Sequence, residues 1–172
     1  QSGVSVLITA RRFRNTDYIP MLLELAPELA KARAGRLTSQ RLPGLRHVVY
    51  IGAGDEPGGL SWIGLLERGD GVQTSQLHER EPELRFDDAV NIQYTSGTTG
   101  SPKGATLSHH NILNNGFFVG EVLRYTSRDR ICVAVPFYHC FGCVMGNLAA
   151  LTHGSTVVIP EATFDAASTL RA

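Results

Sequence analysis

One run of the chain limits what the rest can fold into. Tyr94 to Thr106 reads Y-T-S-G-T-T-G-S-P-K-G-A-T, with three glycines, seven hydroxyl side chains and one lysine. It lies between an apolar, strand-like approach (Val90 to Tyr94) and an apolar, helix-like exit from Ile112 onward. The run has nothing to bury, so it reads as a loop held in place by the elements on either side. Its glycines can take positive φ, and its backbone N–H groups can converge on an anion with no Cβ in the way. Its hydroxyls can donate and its lysine adds full charge, which together describe a phosphate cradle.

The flanks repeat a strand-then-helix rhythm along the chain. Val4–Thr9 and His47–Ile51 are apolar runs too short for helices and read as buried strands. Val90–Tyr94 alternates with period two and predicts a strand that buries its apolar face. Asp129–Val135 and Thr156–Ile159 supply further strands. Asp17 is placed to N-cap a helix from Tyr18 into Leu22, Leu23, Leu25 and Leu29, which Pro27 should end or kink. Leu60–Leu66 carries a short helical stripe, and Val72–Asp88 reads as an amphipathic helix running into a loop at Pro82. Ser108 can cap a helix through Ile112, Leu113, Phe117, Phe118, Val122 and Leu123, weakened by Gly116 and Gly120. Phe141–Leu151 and Phe164–Ala172 read as helices too. The alternation predicts an α/β fold, a largely parallel sheet flanked by helices.

Composition narrows the function classes. Of 172 residues 42% are hydrophobic, enough for a core in one domain or a piece of a larger one. With 16 basic and 16 acidic residues there is no electrostatic case for nucleic acid or an anionic membrane, so any phosphate binding is local. The longest nearly apolar stretch, Cys140–Leu151, is broken by Gly142, Gly146 and Asn147 and falls short of the roughly 20 residues of a membrane span. Three cysteines make no disulfide framework and no leader is visible, so a reducing, cytoplasmic setting is expected. The chain is in a hydrophobic run by Val4 and stops within a helix-like segment, as an internal piece of a longer protein would.

Commoner nucleotide motifs do not fit the loop. A Walker A loop needs G-K-[ST], and here Lys103 follows Pro102 and precedes Gly104; a dinucleotide fingerprint needs a first G-x-G that Gly97 and Gly100 do not make. Lys103 is one of two lysines against 14 arginines. A flexible ammonium can follow a phosphate that moves during reaction, where a guanidinium prefers a fixed bidentate pose.

A second constellation, Pro136-Phe-Tyr-His-Cys-Phe-Gly142, follows the Ile131–Val135 strand and sets His139 where open parallel sheets bind ligands. The alternative is a histidine satisfied by local backbone. His139, Cys140 and Cys143 spell H-C-x-x-C, but no second pair follows and the setting is apolar. Both cysteines are expected to pack as small hydrophobes, with no metal site. His109 and His110 belong in the first turn of the next helix, capping or facing solvent, and Arg11, Arg12 and Arg14 read as a solvated edge.

T-S-G-T-T-G-S-P-K-G, from Thr95 to Gly104, resembles the signature of the adenylate-forming, or AMP-binding, superfamily: acyl-CoA synthetases, peptide-synthetase adenylation domains and luciferases. Pro136, His139 and Gly142 match that superfamily's P-x-x-H-x-x-G segment, whose histidine and aromatics line the substrate tunnel. Leu37–Val49, Asn91–Asn115 and Pro136–Gly142 look like medium-chain fatty acyl-CoA ligases of the acyl-CoA synthetase family member 2 type. The resemblance implies that a fatty acid attacks Mg·ATP to give acyl-AMP and pyrophosphate, and that CoA then takes the acyl group.

In that scheme Thr95, Ser96, Gly97, Thr98, Thr99, Gly100 and Lys103 hold the β- and γ-phosphates, with Lys103 and His139 in catalytic roles. The implied unit is residues 1–172 of an N-terminal domain, with its phosphate loop at 94–106. A Y-G-x-T-E segment with its Mg2+ glutamate, a T-G-D motif, the hinge and the C-terminal domain are not found in this sequence. The piece alone is therefore expected to be inactive, with a mobile loop and an exposed face through which it could self-associate. An acyl-AMP or aryl-acid ligase, or a non-catalytic nucleotide-binding module, stand as alternatives.

Overall fold

A computed structural model of the chain describes residues 2–52, 56–95 and 100–172. It divides into two compact units, residues 1–81 and 82–172.

The first unit is built on strands β1 (Val6–Ala10), β2 (Arg12–Phe13) and β3 (Thr16–Asp17), helix α1 (Tyr18–Leu25), strands β4 (His47–Ile51) and β5 (Leu60–Ser61), and helices α2 (Trp62–Gly69) and α3 (Thr74–His78). β1, β4 and β5 form a parallel sheet in which Val6 pairs with His47 and Val49 with Leu60. The Asp17 carboxylate accepts from Ile19 N–H at 3.2 Å, so the expected N-cap holds. α1 stops at Leu25 and Pro27 opens a 3-10 turn, because proline has no N–H to continue the ladder. Ile19, Leu29, Leu37, Leu45, Val48 and Tyr50 make the core. Each fully buried aliphatic here is worth about 1.5–3 kcal/mol over its exposed state. Arg11, expected at a solvated edge, pairs with Glu56 at 2.8 Å. The predicted long helix over Val72–Asp88 shortens to α3 and a 3-10 turn at Glu81–Glu83.

The second unit contains strands β6 (Ala89–Thr95) and β7 (Lys103–Ser108), helix α4 (His109–Leu123), strand β8 (Arg130–Cys132), a π-helix (Phe141–Leu148), helix α5 (Ala149–Thr152), strand β9 (Thr156–Val158) and helix α6 (Ala166–Arg171). β8 and β9 are parallel. β6 and β7 form an antiparallel hairpin, with Ile92 opposite Thr106 and Thr95 opposite Lys103. Ser108 caps α4 as the sequence suggests. Its Oγ accepts from Asn111 N–H at 3.2 Å, and Asn111 Oδ1 accepts from Ser108 N–H at 3.2 Å. His109 and His110 occupy the first turn, where His110 N–H donates to Phe86 O.

The two faces of this unit differ from expectation. α4 buries Gly116 and Gly120, not its aromatic stripe, and Phe118 and Val122 are exposed. The glycines let α4 approach the following helices closely: a Cβ on Gly116 would stand 2.7 Å from Leu148 Cβ, and one on Gly120 would overlap the His153 ring. β6 likewise exposes Val90, Ile92 and Tyr94 while Asn91 and Gln93 are half-buried, the reverse of its apolar alternation. No helix among the described residues is long and apolar enough to cross a membrane.

Candidate active site

The hairpin positions the glycine-rich run. Tyr94 pairs with Gly104 and Thr95 with Lys103, so Lys103 and Gly104 belong to β7. Among the described residues of the loop, Gly100 has φ of +137°, a conformation that disfavours any side chain. Gly104 is constrained differently: a Cβ there would come within 2.9 Å of Ile92 Cγ2 and 3.3 Å of the Tyr94 ring. Thr95 and Lys103 are exposed, and Thr95 Oγ1 lies 3.4 Å from Lys103 O. Ser96, Gly97, Thr98 and Thr99 lie outside the described residues.

Beyond β8, Pro136–Cys140 turns into the π-helix. Gly142 is buried at this turn, where a Cβ would overlap the Pro136 carbonyl oxygen, and a Cβ on Gly146 would come within 2.9 Å of Val133. These close approaches press the π-helix onto the preceding segment; such wide turns recur at functional positions. His139 is exposed, and its Nδ1 accepts Phe141 N–H at 3.1 Å. That bond makes Nδ1 an acceptor. Local backbone therefore satisfies one nitrogen of His139. Cys140 departs from the expected packing: it is exposed, with Sγ 3.6 Å from His139 Nδ1, while Cys143 is half-buried.

Gln93 ties the two constellations together. From the half-buried face of β6 its Nε2 donates to Tyr138 O at 2.9 Å, across 45 residues of sequence. The bond sets the residue before His139 against the strand that feeds the glycine-rich loop. Sequence reasoning passed over Gln93, although a long amide in the middle of a period-two strand was the available signal. Beside this link a cleft of about 350 Å³ opens between the start of α4 and the π-helix. Leu107, Ile112, Phe141, Val144 and Met145 give it apolar walls, and Asn111, Asn115 and His139 contribute the polar groups. An apolar cleft with a few convergent polar groups is the usual form of a small-molecule site.

A hairpin tied to a histidine-bearing turn beside an apolar cleft is the geometry of this unit, and comparison with known proteins gives the family. The model of the AMP-binding enzyme family matches residues 1–172. The chain belongs to that family. It is 42% identical over 170 residues to the medium-chain acyl-CoA ligase ACSF2, mitochondrial, of Danio rerio, covering 98% of this chain and 28% of that protein. To the ACSF2 of Bos taurus it is 39% identical over 175 residues, covering 99% and 28%. The chain thus spans under a third of the length of these relatives. Among solved structures, an anthranilate CoA ligase, AuaEII, in complex with anthranoyl-AMP superposes with a TM-score of 0.65 at 24% identity, over 93% of this chain and 27% of that one. That likeness bears out the mixed α/β fold with parallel sheets.

Proposed function

We propose that the chain supplies the triphosphate-side loop and one wall of the acid pocket of a fatty acyl-CoA ligase. The whole protein activates a carboxylic acid with ATP, releasing pyrophosphate, and passes the acyl group to CoA. The observation that carries this reading is the Gln93–Tyr138 bond, which holds the hairpin and the His139 turn together beside an apolar cleft.

In the reaction the donors of Thr95–Gly100 and the Lys103 ammonium neutralise charge as it builds on the departing pyrophosphate. The His139 Nε2 proton is a donor for the attacking carboxylate or the α-phosphate. The apolar walls take the alkyl chain, with affinity rising by about 0.8 kcal/mol per buried methylene. Among the described residues no group of three or more His, Cys, Asp or Glu side chains could hold a metal ion. Three free thiols suit a reducing compartment, the cytoplasm in our reading, while the names of the vertebrate relatives place those proteins in the mitochondrion.

The test is carboxylate-dependent pyrophosphate exchange. The 172 residues alone are expected at buffer background, and a protein of the relatives' full length is expected to exchange with medium-chain acids and form CoA thioesters. Exchange by the short chain contradicts its assigned dependence on further sequence. Acyl-adenylate without thioester would instead favour an acyl-AMP ligase.

A further inference from the structure

Asn111 and Asn115 stand one turn apart on α4, and both line the apolar cleft between that helix and the π-helix. The π-helix contributes Phe141, Val144 and Met145 to the same cleft. We propose that the acid seated here carries an oxygen on its chain, as a hydroxy- or oxo-substituted medium-length acid does, and that Asn115 selects for it. The inference rests on the reading of the cleft as the acid pocket.

Asn111 Oδ1 accepts from Ser108 N–H at 3.2 Å and from Ser108 Oγ–H at 3.0 Å, so both of its lone pairs are engaged in capping α4. Those bonds fix which way the amide is turned, because its nitrogen cannot accept from either donor. Only the Nδ2 protons remain, and this side chain offers the cleft donors alone. Asn114 donates its Nδ2 to His110 O at 2.8 Å, whereas the Asn115 amide has no hydrogen bond to another described residue. Both cleft amides are exposed to solvent. A plain alkyl chain laid over them removes that solvent and returns no hydrogen bond, which is costly for a polar group. A hydroxyl or carbonyl oxygen on the chain accepts from Nδ2 in place of the solvent. Discrimination of this kind is strong in one direction: a site that hydrogen-bonds a substrate oxygen rejects the analogue that lacks it.

The experiment measures carboxylate-dependent pyrophosphate exchange by the intact protein, with ATP saturating, for octanoate and for 3-, 5- and 7-hydroxyoctanoate. At least one hydroxy acid is expected to exceed octanoate in kcat/KM by about threefold or more. Asn111 caps α4 and is left in place. Asn115→Leu, which keeps the bulk and removes the amide, should erase that preference and raise kcat/KM for octanoate. The ratio between two acids in one preparation does not depend on the fraction folded. Met145→Glu tests the pocket itself and should lower kcat/KM for every acid in the series by about tenfold or more. No hydroxy acid above octanoate, or a hydroxyl preference that survives in Asn115→Leu, would overturn the proposal and leave the acid pocket standing. Exchange indifferent to both Met145→Glu and Asn115→Leu would remove the pocket reading, and this inference with it.

Discussion

Gln93 Nε2 donates to the backbone carbonyl of Tyr138 at 2.9 Å, joining the strand that enters the glycine-rich loop to the turn that carries His139. The two motifs are 45 residues apart along the chain at this bond, and the side chain that links them belongs to neither. That amide is thus one direct side-chain link between the strand entering the glycine-rich run and the turn that carries His139.

Replacing that amide separates binding from positioning. Gln93→Leu loses one side-chain hydrogen bond, worth about 0.5–1.5 kcal/mol, so exchange in the intact protein should fall by about two- to twelvefold in kcat/KM for the acid. Gln93→Glu should be worse, because it sets a carboxylate against a carbonyl oxygen with no donor between them. Steady-state kinetics against acid concentration, with ATP saturating, distinguish these outcomes from wild-type behaviour.

Gly116 gives a test of sign. Glycine to alanine inside an exposed helix stabilises by about 0.5–1 kcal/mol through propensity. Here the new Cβ would stand 2.7 Å from Leu148 Cβ and 3.1 Å from the Leu148 carbonyl carbon. Gly116→Ala should instead lower stability by about 1–3 kcal/mol, the usual cost of overpacking. Gly69→Ala, with nothing within 4 Å of its Cβ position, should be neutral or stabilising in the same denaturation assay.

Gly142 is held more tightly still, against the Pro136 carbonyl oxygen, with Val135 O 3.0 Å from where a Cβ would stand. Backbone atoms cannot swing aside as a side-chain tip can, so Gly142→Ala should displace the His139 turn. The expected readout is loss of acid-dependent exchange greater than the accompanying fall in thermal midpoint explains, measured at a temperature where both proteins are folded.

The turn between α4 and β8 makes a pH prediction. The Asp129 carboxylate accepts from Thr126 Oγ1 at 2.8 Å and from Thr126 N–H at 2.7 Å, and these bonds hold its pKa below the ordinary value of 3.8. A carboxyl with a depressed folded-state pKa adds stability that is complete above its unfolded pKa and is lost as pH falls through the folded one. Asp129→Asn should therefore flatten the loss of stability below about pH 4 and change little in slope between pH 5 and 7, in denaturation curves taken across that range.

Much of the scaffold was legible because local chemistry decided it. Asp17 and Ser108 cap the helices that follow them, His47–Ile51 is a strand to the residue, and Pro27 stops α1, each for a reason confined to a few neighbouring residues. β7 was not legible: K-G-A-T-L-S holds one large apolar residue, and it becomes a strand because β6 offers it a hydrogen-bonded partner. The buried face of α4 was hidden for a related reason. Hydrophobic size pointed to Phe117, Phe118 and Val122, whereas the close approach of the neighbouring helices selected Gly116 and Gly120. Motif chemistry proposes Thr95, Gly100, Lys103 and His139 as site residues, whereas the Gln93 contact crosses 45 residues of sequence, which pattern alone does not disclose.

The most direct test of the proposed function falls on Lys103. In the intact protein, carboxylate-dependent ATP–pyrophosphate exchange is to be compared between wild type and Lys103→Ala, with circular dichroism to establish that both are folded. If the β6–β7 hairpin holds the departing pyrophosphate, removing this charge should slow exchange by about a hundredfold, the scale of losing one transition-state donor. Exchange by folded Lys103→Ala at the wild-type rate would contradict the assignment of this loop.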